Sequence, residues 1–393
     1  MNHETSSSLR LDPAGVWSSI IHQAFPMVAW SLPHSQESFL LVDTRPDLQE
    51  QERELEDVVP GFLINRFLSS HPSQPTLLKA DILITSTAGR HETQIDPTLS
   101  GNEIDQFRQA MQQSGSTSYR QPSSTRPEQK DYIELVRSAL EEISLGHAQK
   151  IVLARYEDHQ LEEALDCYRK FEELTARYPN AMTYACYLPG VGVWLGATPE
   201  ELIELKDNRY FRTVALAGTQ PLAEGAKMGN ISWTQKEIEE QALVSRYIID
   251  CFKKIRLREF DEYGPKTVKA GQLAHLKTQF KVDMAETNSP RLGTTMLDLL
   301  HPTSAVCGMP LNLSLDFIKN QEGFDRAYYA GFLGPVQIAG HTNLFVNLRC
   351  ASVIGKQVRF YAGAGITEDS DPEKEFQETE LKLKTMKRVI LSS

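Results

Sequence analysis

Four short apolar runs decide the fold: Thr183-Tyr-Ala-Cys-Tyr-Leu188, Gly192-Val-Trp-Leu-Gly-Ala197, Leu202-Ile-Glu-Leu205 and Arg212-Thr-Val-Ala-Leu-Ala217. Each has the length and composition of a strand, and only short turns separate them. A βαβ repeat would place a helix in every connection, so consecutive strands with grouped helices point to a largely antiparallel α+β fold. Upstream, Lys150-Ile-Val-Leu-Ala-Arg155 also reads as a strand. Downstream, strand-like runs return at Gly331–Ile338, Asn343–Ala351 and Gln357–Ala362. Helices are expected between these groups. One is capped by Asp131, carries Ile133, Val136, Leu140 and Ile143 at helical spacing, and stops at Gly146. Others cover Glu162–Arg177, Lys236–Lys254 and Pro372–Leu391.

The region Met1–Gln112 shows short strand-like runs, such as Phe39–Val42 and Ala80–Ile84, and no chemical constellation. Residues 113–130 are rich in Ser, Gln and Pro and read as an exposed connector. The expected division is therefore an N-terminal scaffold part over 1–112, the connector over 113–130, and a catalytic region over 131–393.

The chain has 393 residues, 40% hydrophobic and 24% charged, enough for a large core. A net charge of −11 argues against non-specific binding to nucleic acid or a membrane surface, which need a basic field. No apolar run approaches the roughly 18–20 residues of a membrane span. Met1-Asn-His-Glu-Thr5 lacks the basic and apolar regions of a signal peptide. Cys167, Cys186, Cys251, Cys307 and Cys350 are odd in number, scattered and set in apolar stretches, as buried free thiols are. A cytoplasmic location is expected.

The candidate chemistry lies on elements far apart in the chain. Lys150 opens an apolar strand; it is either a solvated strand end or a desolvated lysine serving as a general base. Glu200 follows Pro199, which fixes its backbone; it is either a first-turn glutamate or a general acid with a raised pKa. Glu240 falls on the same helical stripe as Val244, Tyr247 and Cys251, so a metal or a lysine should lie near it. Glu375, Glu378 and Lys382 share one face of the last helix, either as a surface pair or as the wall of a cleft. Carboxylates from two helices with few other strong ligands suit Mg²⁺ that keeps its waters and grips an anionic substrate. His275 sits in an apolar setting, as a core histidine or a substrate contact. Arg349, after a mostly apolar strand, calls for an anion such as a carboxylate. Gly363-Ala-Gly365 permits close backbone approach to an anion but is not a dinucleotide fingerprint.

Taken together, these residues resemble the chorismate-utilising enzymes, and within them the isochorismate synthases. The blocks that carry the resemblance run in order from about Asp131 to the C-terminus. They are Lys150–Arg155, Gly196-Ala-Thr-Pro-Glu200, Ala215-Leu-Ala-Gly-Thr219, Lys236–Glu240, His275-Leu276, Leu300-His-Pro-Thr303, Phe324-Asp-Arg326, Arg349, Gly363–Gly365 and Glu375–Lys382. The resemblance implies one domain of two packed, largely antiparallel sheets with helices outside. It implies that Lys150 activates water for attack at ring carbon 2 of chorismate, and that Glu200 protonates the departing 4-hydroxyl. Glu240 and Glu378 would hold Mg²⁺, with Glu375 supporting through water. Gly218, Thr219 and His275 would line the ring site. Arg349 and Gly365, next to Gly363, would hold the enolpyruvyl carboxylate, with Lys382 adding charge nearby. Ala305 stands where ammonia-using and salicylate-forming members carry threonine, which favours water as nucleophile and release of isochorismate. A salicylate synthase, or an aminating synthase component I, is the alternative; no glutaminase partner is expected. Gln241 and Ser304 depart from the family pattern, which often has His and Pro there.

Overall fold

The computed structural model describes residues 11–21, 23, 25–45, 54–68, 75–112, 129–222, 231–270 and 273–392. Most of the expected connector therefore lies outside the described residues. From the N-terminus the elements are α1 (Pro13–Ile20), β1 (Met27–Ser31), β2 (Glu37–Val42), β3 (Gly61–Asn65), β4 (Thr76–Lys79), β5 (Ile82–Thr87), β6 (Arg90–Ile95), α2 (Gly101–Ala110) and α3 (Gln129–Ser144). Next come β7 (Lys150–Gln160), α4 (Cys167–Arg177), β8 (Met182–Leu188), β9 (Gly192–Thr198), β10 (Glu201–Lys206), β11 (Tyr210–Pro221) and α5 (Gln235–Lys254). After these stand β12 (Asp261–Ala270), β13 (Leu273–Asp283), α6 (Leu292–Leu300), β14 (Gly308–Met309) and α7 (Leu311–Gln321). The chain closes with β15 (Phe332–Val336), β16 (His341–Val346), β17 (Cys350–Ile354), β18 (Gln357–Ile366) and α8 (Pro372–Ile390).

The strands form two sheets. One has ten strands in the order β14-β7-β18-β17-β9-β8-β1-β2-β5-β6, the other eight in the order β12-β13-β11-β10-β16-β15-β3-β4. The pairings are antiparallel, as the run from residue 183 to 217 predicts. The first 112 residues supply strands to both sheets: β1 pairs with β8, and β3 with β15. Trp30, Phe62, Leu153, Tyr184 and Phe332 belong to the larger core, which also takes in α3, α5 and α6. A second core joins the ten-stranded sheet to α1, α4 and α8 through side chains such as Trp17, Phe171, Phe360 and Met386. All five cysteines are buried and free. Among the described residues no helix is long and apolar enough to cross a membrane.

Several bounds shift by a few residues from the sequence reading, and three of the differences have a clear local cause. The helix expected from Glu162 starts at Cys167, because the Asp166 side chain caps it by accepting from Arg169 N at 3.0 Å. Asp131 is not a cap; α3 begins at Gln129 and Asp131 lies in its first turn, while Gly146 ends the helix at φ +75° as expected. The run Asn343–Ala351 is not one strand. It leaves the eight-stranded sheet after Val346 and enters the ten-stranded sheet at Cys350. Buried Asn347 pins the crossing, accepting from Tyr184 Oη at 2.6 Å and donating to the Tyr328 carbonyl at 2.9 Å. Arg349 takes a positive φ of 46° there, a conformation uncommon for a non-glycine residue.

Candidate active site

Lys150 is the first residue of β7, which is held between β14 and β18. Its side chain, 6% exposed, lies directly over Gly365: a Cβ on that glycine would come within 2.6 Å of Lys150 Cε. Nζ donates to Glu240 Oε1 at 2.9 Å. The stripe on α5 therefore does carry its carboxylate to a lysine. The other Glu240 oxygen accepts from Gly218 N at 3.2 Å. That contact depends on a break in the β11–β13 register between Ala217 and Thr219, where Gly218 adopts φ +66°. Lys150's charge holds the Glu240 carboxyl below the usual carboxylate range against the effect of burial, although 36% of the side chain remains exposed. Thr219 lies in β11 opposite His275; its side chain is outside the described residues.

His275 is buried on β13, with its ring hydrogen-bonded to the Gly218 backbone. Burial first, then the charge of Arg349, pushes the imidazole down to about 4, so it is neutral at pH 7. Glu200 sits in the link from β9 to β10, and its carbonyl accepts from Val346 N at 2.9 Å. Burial raises its carboxyl to about 7, against the opposing charges of Lys150, Arg349 and Lys382. Three cations thus act on one carboxyl in a chain that is acidic overall. Arg349 is itself pulled down by burial, against Tyr329, Glu378 and Glu200. Among the described residues it forms no ion pair, so its guanidinium is available to an anionic ligand.

On α8, Lys382 Nζ reaches Glu378 Oε1 at 2.5 Å and the Gly363 carbonyl at 2.8 Å. Burial works against ionisation of Glu378, but Lys382 outweighs it and the carboxyl is lowered. Glu240 pushes the other way, so the carboxylates of α5 and α8 feel each other. Glu375 is buried, accepts from Ser370 Oγ at 2.7 Å, and is raised by burial and, among its neighbouring charges, by Glu378. Gly363 and Gly365 lie within β18, opposite Ala154 and Val152 of β7. Pairing with β17 stops at Phe360, which leaves that end of β18 laddered on one side. Ala305 and Glu200 line one cavity of about 20 Å³. Beside Ala305, the hydroxyls of Ser304 and Thr303 are buried with no hydrogen-bond partner among the described residues.

Two supports escaped the sequence reading. Gln241 clamps α5 to the sheet: it accepts from Ala217 N at 2.9 Å and donates to Thr278 Oγ1 at 2.9 Å and the Ala215 carbonyl at 3.2 Å. Glu322 and Arg326 form a fully buried pair at 2.6 Å. Arg326 also donates to the carbonyls of Val152 at 2.8 Å and Val306 at 2.9 Å, and Glu322 accepts from Ala154 N at 2.6 Å. The pair thus ties the Lys150 strand to the Ala305 loop. The local sequence gives little sign of it: Lys319–Asp325 is mostly polar, and Glu322 and Arg326 lie beyond the end of α7 at Gln321.

The family model described as chorismate binding enzyme matches residues 17–391. The chain belongs to this family. Isochorismate synthase EntC of Escherichia coli (strain K12) is 31% identical over 268 residues, covering 67% of this chain and 68% of that protein. Isochorismate synthase DhbC of Bacillus subtilis (strain 168) is 30% identical over 294 residues, 71% of each. Among solved structures, MenF, the menaquinone-specific isochorismate synthase of Escherichia coli, shares the fold at a TM-score of 0.77 and 24% identity, covering 97% of this chain and 92% of that chain. Anthranilate synthase component I of Streptococcus pneumoniae shares it at 0.65 and 17%, covering 96% and 86%.

Proposed function

We propose that this family member is a Mg²⁺-dependent isochorismate synthase that adds water at carbon 2 of chorismate and removes the 4-hydroxyl. The observation that carries this reading is the meeting of Lys150, Glu200, Arg349 (without an ion pair among the described residues) and the carboxylates of α5 and α8 in one site. A substitution that gains water at one ring carbon and loses hydroxide at another needs a base and an acid held apart. Lys150, once it has left Glu240 and given up a proton to solvent, takes the proton of the attacking water as the neutral amine. Glu200 gives its proton to the leaving hydroxyl, and burial keeps that proton available near neutral pH. Arg349 and the Gly365 backbone, beside Gly363, hold the enolpyruvyl carboxylate. Neutral His275 and the Gly218-Thr219 turn line the ring, and Lys382 adds positive charge.

The donor set fits a hard divalent cation. Glu240 and Glu378 offer oxygen only, with Glu375 behind them. Among the described residues no three His, Cys, Asp or Glu side chains are gathered closely enough to hold a metal ion by themselves, so the cation would rely on two carboxylates, water and substrate. Few protein ligands leave positions for water and substrate, the pattern Mg²⁺ favours. When bound, the cation would supply orientation and charge neutralisation at the ring carboxylate.

Ala305 favours water over ammonia and release over pyruvate elimination. We further propose that residues 1–112 serve as scaffold, that the enzyme works in the cytoplasm without a glutaminase partner, and that its product feeds menaquinone or a catechol siderophore. Buried free thiols support the reducing compartment. The test is incubation with chorismate and Mg²⁺ followed by chromatography. Isochorismate is expected; salicylate would move the assignment to a salicylate synthase, and an aminated product formed with ammonia would move it to the aminating enzymes.

A further inference from the structure

Each carboxylate assigned to the cation is already engaged by a lysine. Lys150 Nζ lies 2.9 Å from Glu240 Oε1, and Lys382 Nζ lies 2.5 Å from Glu378 Oε1. The two lysines differ in one respect. Lys382 has a second acceptor, the Gly363 carbonyl at 2.8 Å. For Lys150, Glu240 is the hydrogen-bond partner found among the described residues. Its stem is wedged over Gly365, and the side chain is almost closed off from solvent. Glu240 keeps 36% of its side chain exposed, so its carboxylate can be reached from solution, and a cation seeking the same oxygen must displace Lys150.

We propose that Lys150 and the divalent cation compete for Glu240, so that binding the cation and releasing Lys150 toward the substrate are a single event. The inference rests on the isochorismate synthase reading of this site and deepens it. Lys150 holds the carboxylate in place and neutralised while no cation is bound, and Glu240 gives up that bond when it becomes a ligand. The consequence runs against intuition: deleting the proposed base should improve the metal site. The apparent affinity for the cation is reduced by the fraction of molecules in which Glu240 is engaged by Lys150, and removing the lysine removes that reduction.

The test is Mn²⁺ binding to the full chain without chorismate, read by electron paramagnetic resonance and by calorimetry. Lys150→Met should bind Mn²⁺ at least tenfold more tightly than the unsubstituted protein. Lys150→Arg, which keeps the charge and the donors, should not gain. The double variant Lys150→Met/Glu240→Gln separates competition from simple charge repulsion. Competition predicts that the gain disappears once Glu240 is gone; a gain that survives in the double variant would overturn the proposal. If Glu240→Gln weakens Mn²⁺ but Lys150→Met binds like the unsubstituted protein, the competition is refuted while the metal assignment stands. If neither Glu240→Gln nor Glu378→Gln alters Mn²⁺ binding, the metal assignment itself falls and takes the proposal with it. Thermal unfolding of each variant in the absence of metal checks that the fold is kept.

Discussion

Glu200 should destabilise the folded protein at the pH where it works. Its carboxyl is raised from an ordinary 4.5 to about 7 because burial disfavours the charged form. A group whose pKa is raised on folding contributes its stabilisation fully below the unfolded value. That contribution is lost as pH rises through the folded value. Integrated between pH 5 and pH 8, the loss for Glu200 is about 2.5 kcal/mol. Glutamine has nearly the same shape and no titration. Glu200→Gln should therefore gain stability relative to the unsubstituted protein by about 2.5 kcal/mol more at pH 8 than at pH 5, while losing turnover. Urea unfolding of both proteins at the two pH values measures this directly. A Glu200→Gln effect that is equal at pH 5 and pH 8 would refute the claim that the folded protein buries a proton on this carboxyl.

Other outcomes follow from the same geometry. Lys150→Ala should lower kcat by roughly 10²–10⁴-fold, the usual worth of a general base, with unchanged circular dichroism; near-normal turnover would remove Lys150 from that role. Arg349→Gln should raise KM far more than it lowers kcat, since the guanidinium's proposed work is anion binding; a loss confined to kcat in steady-state kinetics would contradict it. Gly365→Ala should displace the Lys150 side chain, because the new methyl would sit 2.6 Å from Cε; the predicted result is a folded protein with little turnover, and normal turnover would show that Lys150 can shift at no cost. Arg326→Met should cost about 3–5 kcal/mol in chemical denaturation by leaving Glu322 charged and buried alone; a loss under 1 kcal/mol would mean the pair is not the tie described.

Much of the site was legible because its residues mark their own elements. Glu240 announces itself by sharing a helical stripe with Val244 and Cys251, and Glu378 and Lys382 by sharing a face of the last helix. The antiparallel order was legible where strands follow each other directly, as in β8, β9, β10 and β11. It was not legible where partners are remote. Nothing local in Met27–Ser31 or Gly61–Asn65 says that one strand joins the ten-stranded sheet and the other the eight-stranded one. The β12–β13 hairpin was hidden because Asp261–Ala270 is polar and largely exposed, without the apolar alternation that reveals a half-buried strand. The crossing at Asn347 was hidden for the opposite reason: both flanks are apolar, so the run looks continuous. Its turn depends on two hydrogen bonds of the Asn347 side chain, one accepted from Tyr184 and one donated to the Tyr328 carbonyl, both distant in the chain. Gln241, a departure in the sequence, becomes intelligible only once β11 and β13 are beside it.

The central claim is that solvent water, activated at Lys150, becomes the new hydroxyl while Glu200 releases the old one. Turnover of chorismate in water enriched in oxygen-18, with the isochorismate read by mass spectrometry, tests it most directly. The account predicts one heavy oxygen in each newly formed isochorismate, located at carbon 2. Isochorismate formed without the label would mean that the hydroxyl migrates within the substrate, and the opposed acid and base would have no task.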